Sequence, residues 1–165
     1  MKKINKHFIL AFFALIALPQ VICAVNEFAW RTDFAPIVLT NISQKSDVQE
    51  GSSTITLDVS GFDDEAIITA NNEAGSVLTN GTDTLITEYK LTFDGDGTSK
   101  SGGNSMENYV SAGSFLDPGM NIKYVPGDQE VEVKLHVRAS NRADGVSDSG
   151  NYTATQTLTI TWDGL

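Results

Sequence analysis

From Phe28 to Phe34 large aromatic side chains recur at every second position but one, so that Phe28, Trp30, Thr32 and Phe34 share one face. Alternation with period two predicts a β-strand. Only Pro36 separates this run from the next apolar one, Ile37–Ile42, and no Asn-Gly or glycine-rich turn lies between them. The two runs are therefore not expected to fold back on each other as a hairpin. A strand with three aromatics and no local partner must find one elsewhere. The residues Tyr152–Trp162 form an equally regular run, with Tyr152, Ala154, Gln156, Leu158, Ile160 and Trp162 on one face and Thr153, Thr155, Thr157, Thr159 and Thr161 on the other.

The same period recurs between these two runs. Ile55, Leu57 and Val59 alternate with Thr54, Thr56, Asp58 and Ser60, and Leu85, Thr87, Tyr89, Leu91 and Phe93 share a face. Val131, Val133, Leu135, Val137 and Ala139 are expected to point inward, with Glu132, Lys134, His136 and Arg138 toward solvent. Shorter strands are predicted over Ile37–Ile42, Ala66–Ala70, Val77–Thr79, Tyr109–Leu116 and Met120–Val125. Polar loops are predicted over Ser43–Ser52, Asn71–Gly75, Asp94–Ser105 and Asn141–Gly150. Turns are expected at Asn80-Gly81, Asp117-Pro118-Gly119 and Pro126-Gly127-Asp128. Helical periodicity is nearly absent. The expectation is an all-β, antiparallel sandwich in one domain.

The first residues change the cellular picture. Lys2, Lys3 and Lys6 precede an apolar run from Phe8 to Leu18, followed by Pro19, Ile22 and Ala24. This is the pattern of a secretory signal peptide over residues 1–24, too short for a spanning helix. Bulky Ile22 before Cys23 argues against a lipoprotein, and cleavage after Ala24 removes the only cysteine. An exported chain without disulfides must draw its stability from its core and its partners. Beyond the leader, eight basic residues face 21 acidic ones, which argues against nucleic acid or an anionic membrane as partner.

Motifs for chemistry are sparse. Asp94-Gly-Asp-Gly-Thr98 begins like a calcium loop, but Ser99 stands where that loop needs glycine and Ser105 where it needs a bidentate acid. His136 is the only histidine past the leader, which leaves zinc or a histidine-based triad without partners. No nucleophile elbow, phosphate loop or dinucleotide fingerprint is present, and Asp63-Asp64 reads as a solvated turn. The expectation is a protein that is no enzyme and needs neither metal nor cofactor. Asn41, Asn80 and Asn151 head glycosylation triplets, but the lysine-rich leader has a bacterial character.

The export signal, the alternating segment running into Pro36 and the terminal Ser149-Gly-Asn-Tyr152 strand together resemble fimbrial subunits of the chaperone–usher pathway, closest to the pilins of the colonisation factor antigen class. The resemblance implies an incomplete immunoglobulin-like β-sandwich completed by donor-strand exchange. Residues 25–36 would form an N-terminal donor-strand extension and residues 37–165 the pilin domain. Phe28, Trp30, Thr32 and Phe34 would be donor side chains. Tyr152, Leu158, Ile160 and Trp162 would contribute the acceptor groove and chaperone contact, with the carboxylate of Leu165 held by basic residues of the chaperone. The implied partners are identical or related pilin subunits, a periplasmic chaperone and an outer-membrane usher, with a host receptor as an optional further one. The implied location is a cell-surface fimbria of a Gram-negative bacterium, reached through the periplasm. Donor strands of this kind usually carry smaller aliphatic residues than the aromatics found here. The alternative is a self-contained secreted β-sandwich that binds carbohydrate or protein, with Phe28–Phe34 as its first strand.

Overall fold

The computed structural model describes residues 27–60, 65–71, 74–93, 106, 108–123, 130–142 and 144–162. Eight strands run through them: β1 (Glu27–Trp30), β2 (Val48–Ser60), β3 (Glu65–Ala70), β4 (Ile86–Phe93), β5 (Val110–Ser111), β6 (Met120–Lys123), β7 (Glu130–Ser140) and β8 (Leu158–Trp162). All pairings are antiparallel. They make a five-stranded sheet in the order β1-β2-β7-β4-β5 and a three-stranded sheet in the order β6-β3-β8. The described residues contain no α-helix, only two short 3-10 turns at Ala74–Ser76 and Ala112–Ser114. The all-β class predicted from the alternation holds.

Alternation decides which side chains meet. The longest ladder joins β2 to β7, from Val48 opposite Ser140 to Asp58 opposite Glu130, and it sets Ile55, Leu57 and Val59 on the same face as Val131, Val133, Leu135 and Val137. These pack with Tyr89, Leu91 and Phe93 of β4, Ala66 and Ile68 of β3 and Ile122 of β6 in one buried cluster to which both sheets contribute. Each large aliphatic side chain so buried contributes about 1.5–3 kcal/mol. Phe115 packs on Tyr89 with ring centroids 5.3 Å apart. The Tyr89 hydroxyl donates to the Ser76 carbonyl at 2.6 Å, and burial pushes its phenol up to about 12.

Two turns show why their glycines are there. At Gly81, φ is 93°, a region open chiefly to glycine, and the Asn80 side-chain oxygen accepts the backbone N–H of Thr82 and Asp83 at 2.9 and 2.8 Å. At Gly119, φ is 128° and a Cβ would stand 2.7 Å from Ile67 Cγ2.

The aromatic N-terminal strand finds its partner away from the neighbouring run, within the same chain: β1 pairs with β2, Phe28 opposite Val59 and Trp30 opposite Leu57. Four local expectations are corrected. The Ile37–Ile42 run forms no ladder; it lies along the start of β2, where Ile37 and Leu39 crowd the position a Gly51 Cβ would take. The polar stretch before Ser52 is not all loop, because β2 already begins at Val48. Val77–Thr79 contributes only isolated bridges at Thr79, to Thr84 and Thr153, and Tyr109–Leu116 shrinks to the two residues of β5 before its 3-10 turn. The leader, the calcium-like loop from Asp94, Asp63-Asp64 and Leu165 lie outside the described residues.

Candidate functional site

The C-terminal run is built as one continuous edge. Asn71 N–H donates to the Thr157 carbonyl at 3.1 Å, Thr155 N–H to the Gly75 carbonyl at 2.7 Å, and Thr153 and Thr79 exchange two bonds at 3.0 and 3.1 Å. Residues 158–162 then continue as β8 along β3, Leu158 opposite Ala70 and Thr161 opposite Ile67. The odd-numbered threonines thus spend their backbone groups on the β3 side. Because successive residues of an extended strand direct their N–H and C=O to opposite edges, Tyr152, Ala154, Gln156, Leu158 and Ile160 direct theirs to the far edge. Among the described residues no strand pairs with that edge.

The side chains of the same five residues are shielded on one face, with Leu158 and Ile160 against the core cluster, while Thr153, Thr155, Thr157, Thr159 and Thr161 are exposed. Unlike the inward residues of β7, the five are only half-buried, and Leu158 and Ile160 pack against the core cluster without joining its buried set. Trp162 stands opposite Ala66 at the end of the ladder. The Tyr152 hydroxyl donates to the Asp148 carbonyl at 2.8 Å; desolvation, then the charges of Asp83 and Asp148, raise its phenol above the ordinary value.

Gln156 went unnoticed in the sequence as anything but one more member of the alternation. Its Nε2 donates to Asn71 Oδ1 at 2.6 Å and to the Thr157 carbonyl at 3.3 Å. Two acceptors on that nitrogen fix the amide orientation. Its Oε1 is buried and has no hydrogen-bond partner among the described residues, an arrangement that costs about 1–3 kcal/mol.

A pinned loop sets where this edge begins. Asn141 is buried and donates to the Gln44 carbonyl at 2.7 Å, while its Oδ1 accepts the Ser147 N–H at 2.9 Å. Asp83 Oδ2 accepts the Asp148 N–H at 2.9 Å and Oδ1 the Thr84 N–H at 2.7 Å. Those backbone donors hold the Asp83 carboxyl below its usual range.

The N-terminal arm lies at an edge of the chain's other sheet, beside β2. Phe28 is 2% exposed within the core. Trp30 and Phe34 are half-buried against it, their rings 6.5 Å apart and tilted by 53°. Thr32, the fourth predicted donor residue, is exposed, because the chain leaves the β2 ladder after Arg31 N–H bonds to the Thr56 carbonyl at 3.0 Å. Arg31 bridges Asp58 and Glu130, which stand opposite each other on β2 and β7. Its hydrogen bonds to Asp58 and then Glu130 hold the guanidinium charged well beyond its ordinary range. The sequence offered no local sign of this clamp, whose acids lie far along the chain.

His136 bonds Thr92 Oγ1 at 3.0 Å; burial, then Lys90 and Lys134, lower its pKa. Among the described residues no group of three or more His, Cys, Asp or Glu could hold a metal ion. Comparison with family models, curated proteins and solved structures finds no match to this chain.

Proposed function

We propose that this chain is a structural subunit of an adhesive fimbria, an incomplete immunoglobulin-like sandwich that polymerises by donor-strand complementation after chaperone-assisted export through an usher. The observation that carries the reading is the edge at residues 152–160: the backbone groups of its even-numbered residues point to a side with no strand among the described residues, and Leu158 and Ile160, packed against the core cluster, are only half-buried. Such an edge is a template for a further strand and a hazard if left open. The Phe28–Pro36 arm of a neighbouring copy supplies a strand of matching alternation, and a periplasmic chaperone guards the edge until it arrives. To act so, the arm leaves its seat on β2, where only four residues pair with the body.

Moving the arm tests the reading. A variant carrying Asn26–Pro36 after Leu165 through a short polar turn, and lacking it at the N-terminus, is expected to be a soluble monomer that melts above the arm-deleted chain, independent of protein concentration, because the contact has become intramolecular. The chain lacking Val25–Ala35 is expected to fold with its chaperone yet fail to extend a fibre. Normal-length fibres from that deletion, seen by electron microscopy, overturn the proposal.

One observation favours a second reading, a self-contained secreted β-sandwich that binds carbohydrate or protein. Phe28 already fills its own core at 2% exposure. On that reading the full-length chain without its leader elutes as a monomer, and the fused arm adds no stability.

A further inference from the structure

Each of the two strands in the proposed assembly carries one polar side chain on an otherwise apolar or aromatic inward face. On the arm that face is Phe28, Trp30, Thr32 and Phe34, with Thr32 the polar member. On the acceptor edge it is Tyr152, Ala154, Gln156, Leu158 and Ile160, and there the Gln156 Oε1 is buried without a partner among the described residues. Resting on the fimbrial reading above, we infer that docking of an incoming arm uncovers Gln156 Oε1, closed off in the free subunit, that the Thr32 hydroxyl of the arm donates to it, and that this pair sets the register of strand exchange.

Several independent features agree with that register. With Thr32 directly opposite Gln156 in an antiparallel ladder, Phe28 falls opposite Ile160, Trp30 opposite Leu158 and Phe34 opposite Ala154, the smallest residue of the edge receiving a large ring. Pro36 falls opposite Tyr152 and, lacking an N–H, ends the ladder there. Parity also fits: the even-numbered residues of the edge direct their backbone groups outward, and the even-numbered residues of the arm would face them as hydrogen-bonded pairs. A slip by two residues in either direction sets Thr32 against Leu158 or Ala154 and an aromatic ring against the Gln156 amide. The misplaced polar groups are then buried without partners, which is how a single polar pair selects one register among apolar ones. In its seat on β2 the arm leaves Thr32 exposed, so the hydroxyl stays available for this role.

Disulfide trapping in assembled fibres reads the register directly. On the outward face the inferred register puts Asp33 opposite Thr155, in a non-hydrogen-bonded pair close enough for a disulfide. Asp33→Cys with Thr155→Cys is expected to give an oxidised ladder of covalent oligomers, while Asp33→Cys with Thr153→Cys or Thr157→Cys, the two slipped registers, gives little. Adding Thr32→Val and Gln156→Leu together is expected to preserve assembly and let the slipped pairs cross-link; Thr32→Val alone slows incorporation about tenfold, because Gln156 is then left without its donor. A ladder from a slipped pair in the parent background overturns the register and leaves the fimbrial reading standing, as does fibre formation with no ladder from any pair. A cross-linked monomer, or no assembly with any pair, overturns the fimbrial reading itself.

Discussion

Strands β7 and β8 carry the same sequence pattern and meet different fates. In β7 every inward position from Val131 to Ala139 is buried, whereas the inward residues Leu158 and Ile160 of β8 remain half-buried. The difference lies in their neighbours. Strand β7 is paired on both sides, by β2 and β4, and β8 on one side only, by β3. Alternation therefore states which way a side chain points, and the number of adjoining strands states how much water it loses. On the proposed reading, a regular apolar face that stays half-wet at a sheet edge is what a donor strand would cover.

The same substitution at matched positions gives the largest contrast. Leu135→Ala on β7 is expected to cost about 2–5 kcal/mol, the range for truncating a buried leucine and leaving a cavity. Leu158→Ala on β8 should cost about 1 kcal/mol or less in the free subunit, since part of that side chain is already hydrated. Chemical denaturation of the two variants measures both. With the arm fused after Leu165, the Leu158 substitution should rise toward the β7 value. Equal costs in the free subunit would show that β8 is already enclosed.

Two tyrosines extend the comparison to pH. Tyr89, in the core, has its phenol raised by burial to about 12, from an ordinary value of about 10. Folding thus favours the neutral phenol, and the unfolded chain releases its proton first as pH rises. The associated stability, about 2–3 kcal/mol, is intact below about pH 10 and lost between about pH 10 and 12. Tyr89→Phe should flatten that part of the stability profile. Tyr152, by the edge, shifts in the same direction but is only half-buried, so Tyr152→Phe should change the profile less than Tyr89→Phe.

What could be read from the chain follows the same division. The facing of the Ile55–Val59 part of β2, of β4, of β7 and of Leu158 and Ile160 was legible because each lies in a local alternation. The partner of β1 was not, since it lies some thirty residues further on, opposite Val59 and Leu57, and nothing in Phe28–Phe34 names it. The first half of β2 looked like loop because its sequence is Gln-Glu-Gly-Ser-Ser; Gly51 is small there because Ile37 and Leu39 occupy the space. At the proposed interface, the direction of Leu158 and Ile160 was readable, but the unpartnered oxygen of Gln156 was not. Its state depends on Asn71, brought alongside only by the fold.

The smallest effect belongs to the outer face of β8. Thr159 is exposed and pairs through its backbone with Thr69, so Thr159→Asp changes a solvated side chain and leaves the ladder intact. It is expected to alter stability by no more than about 0.5 kcal/mol, the loss coming from the lower strand propensity of aspartate. Ile160→Asp, one residue on, places a carboxylate on the half-buried inward face, where an unpaired charge costs several kcal/mol if it stays ionised. Measured side by side, the two variants test the parity on which the edge, the groove and the inferred register all depend. A severe Thr159→Asp beside a mild Ile160→Asp would invert the strand, turn the threonines toward the core and remove Gln156 from the interface.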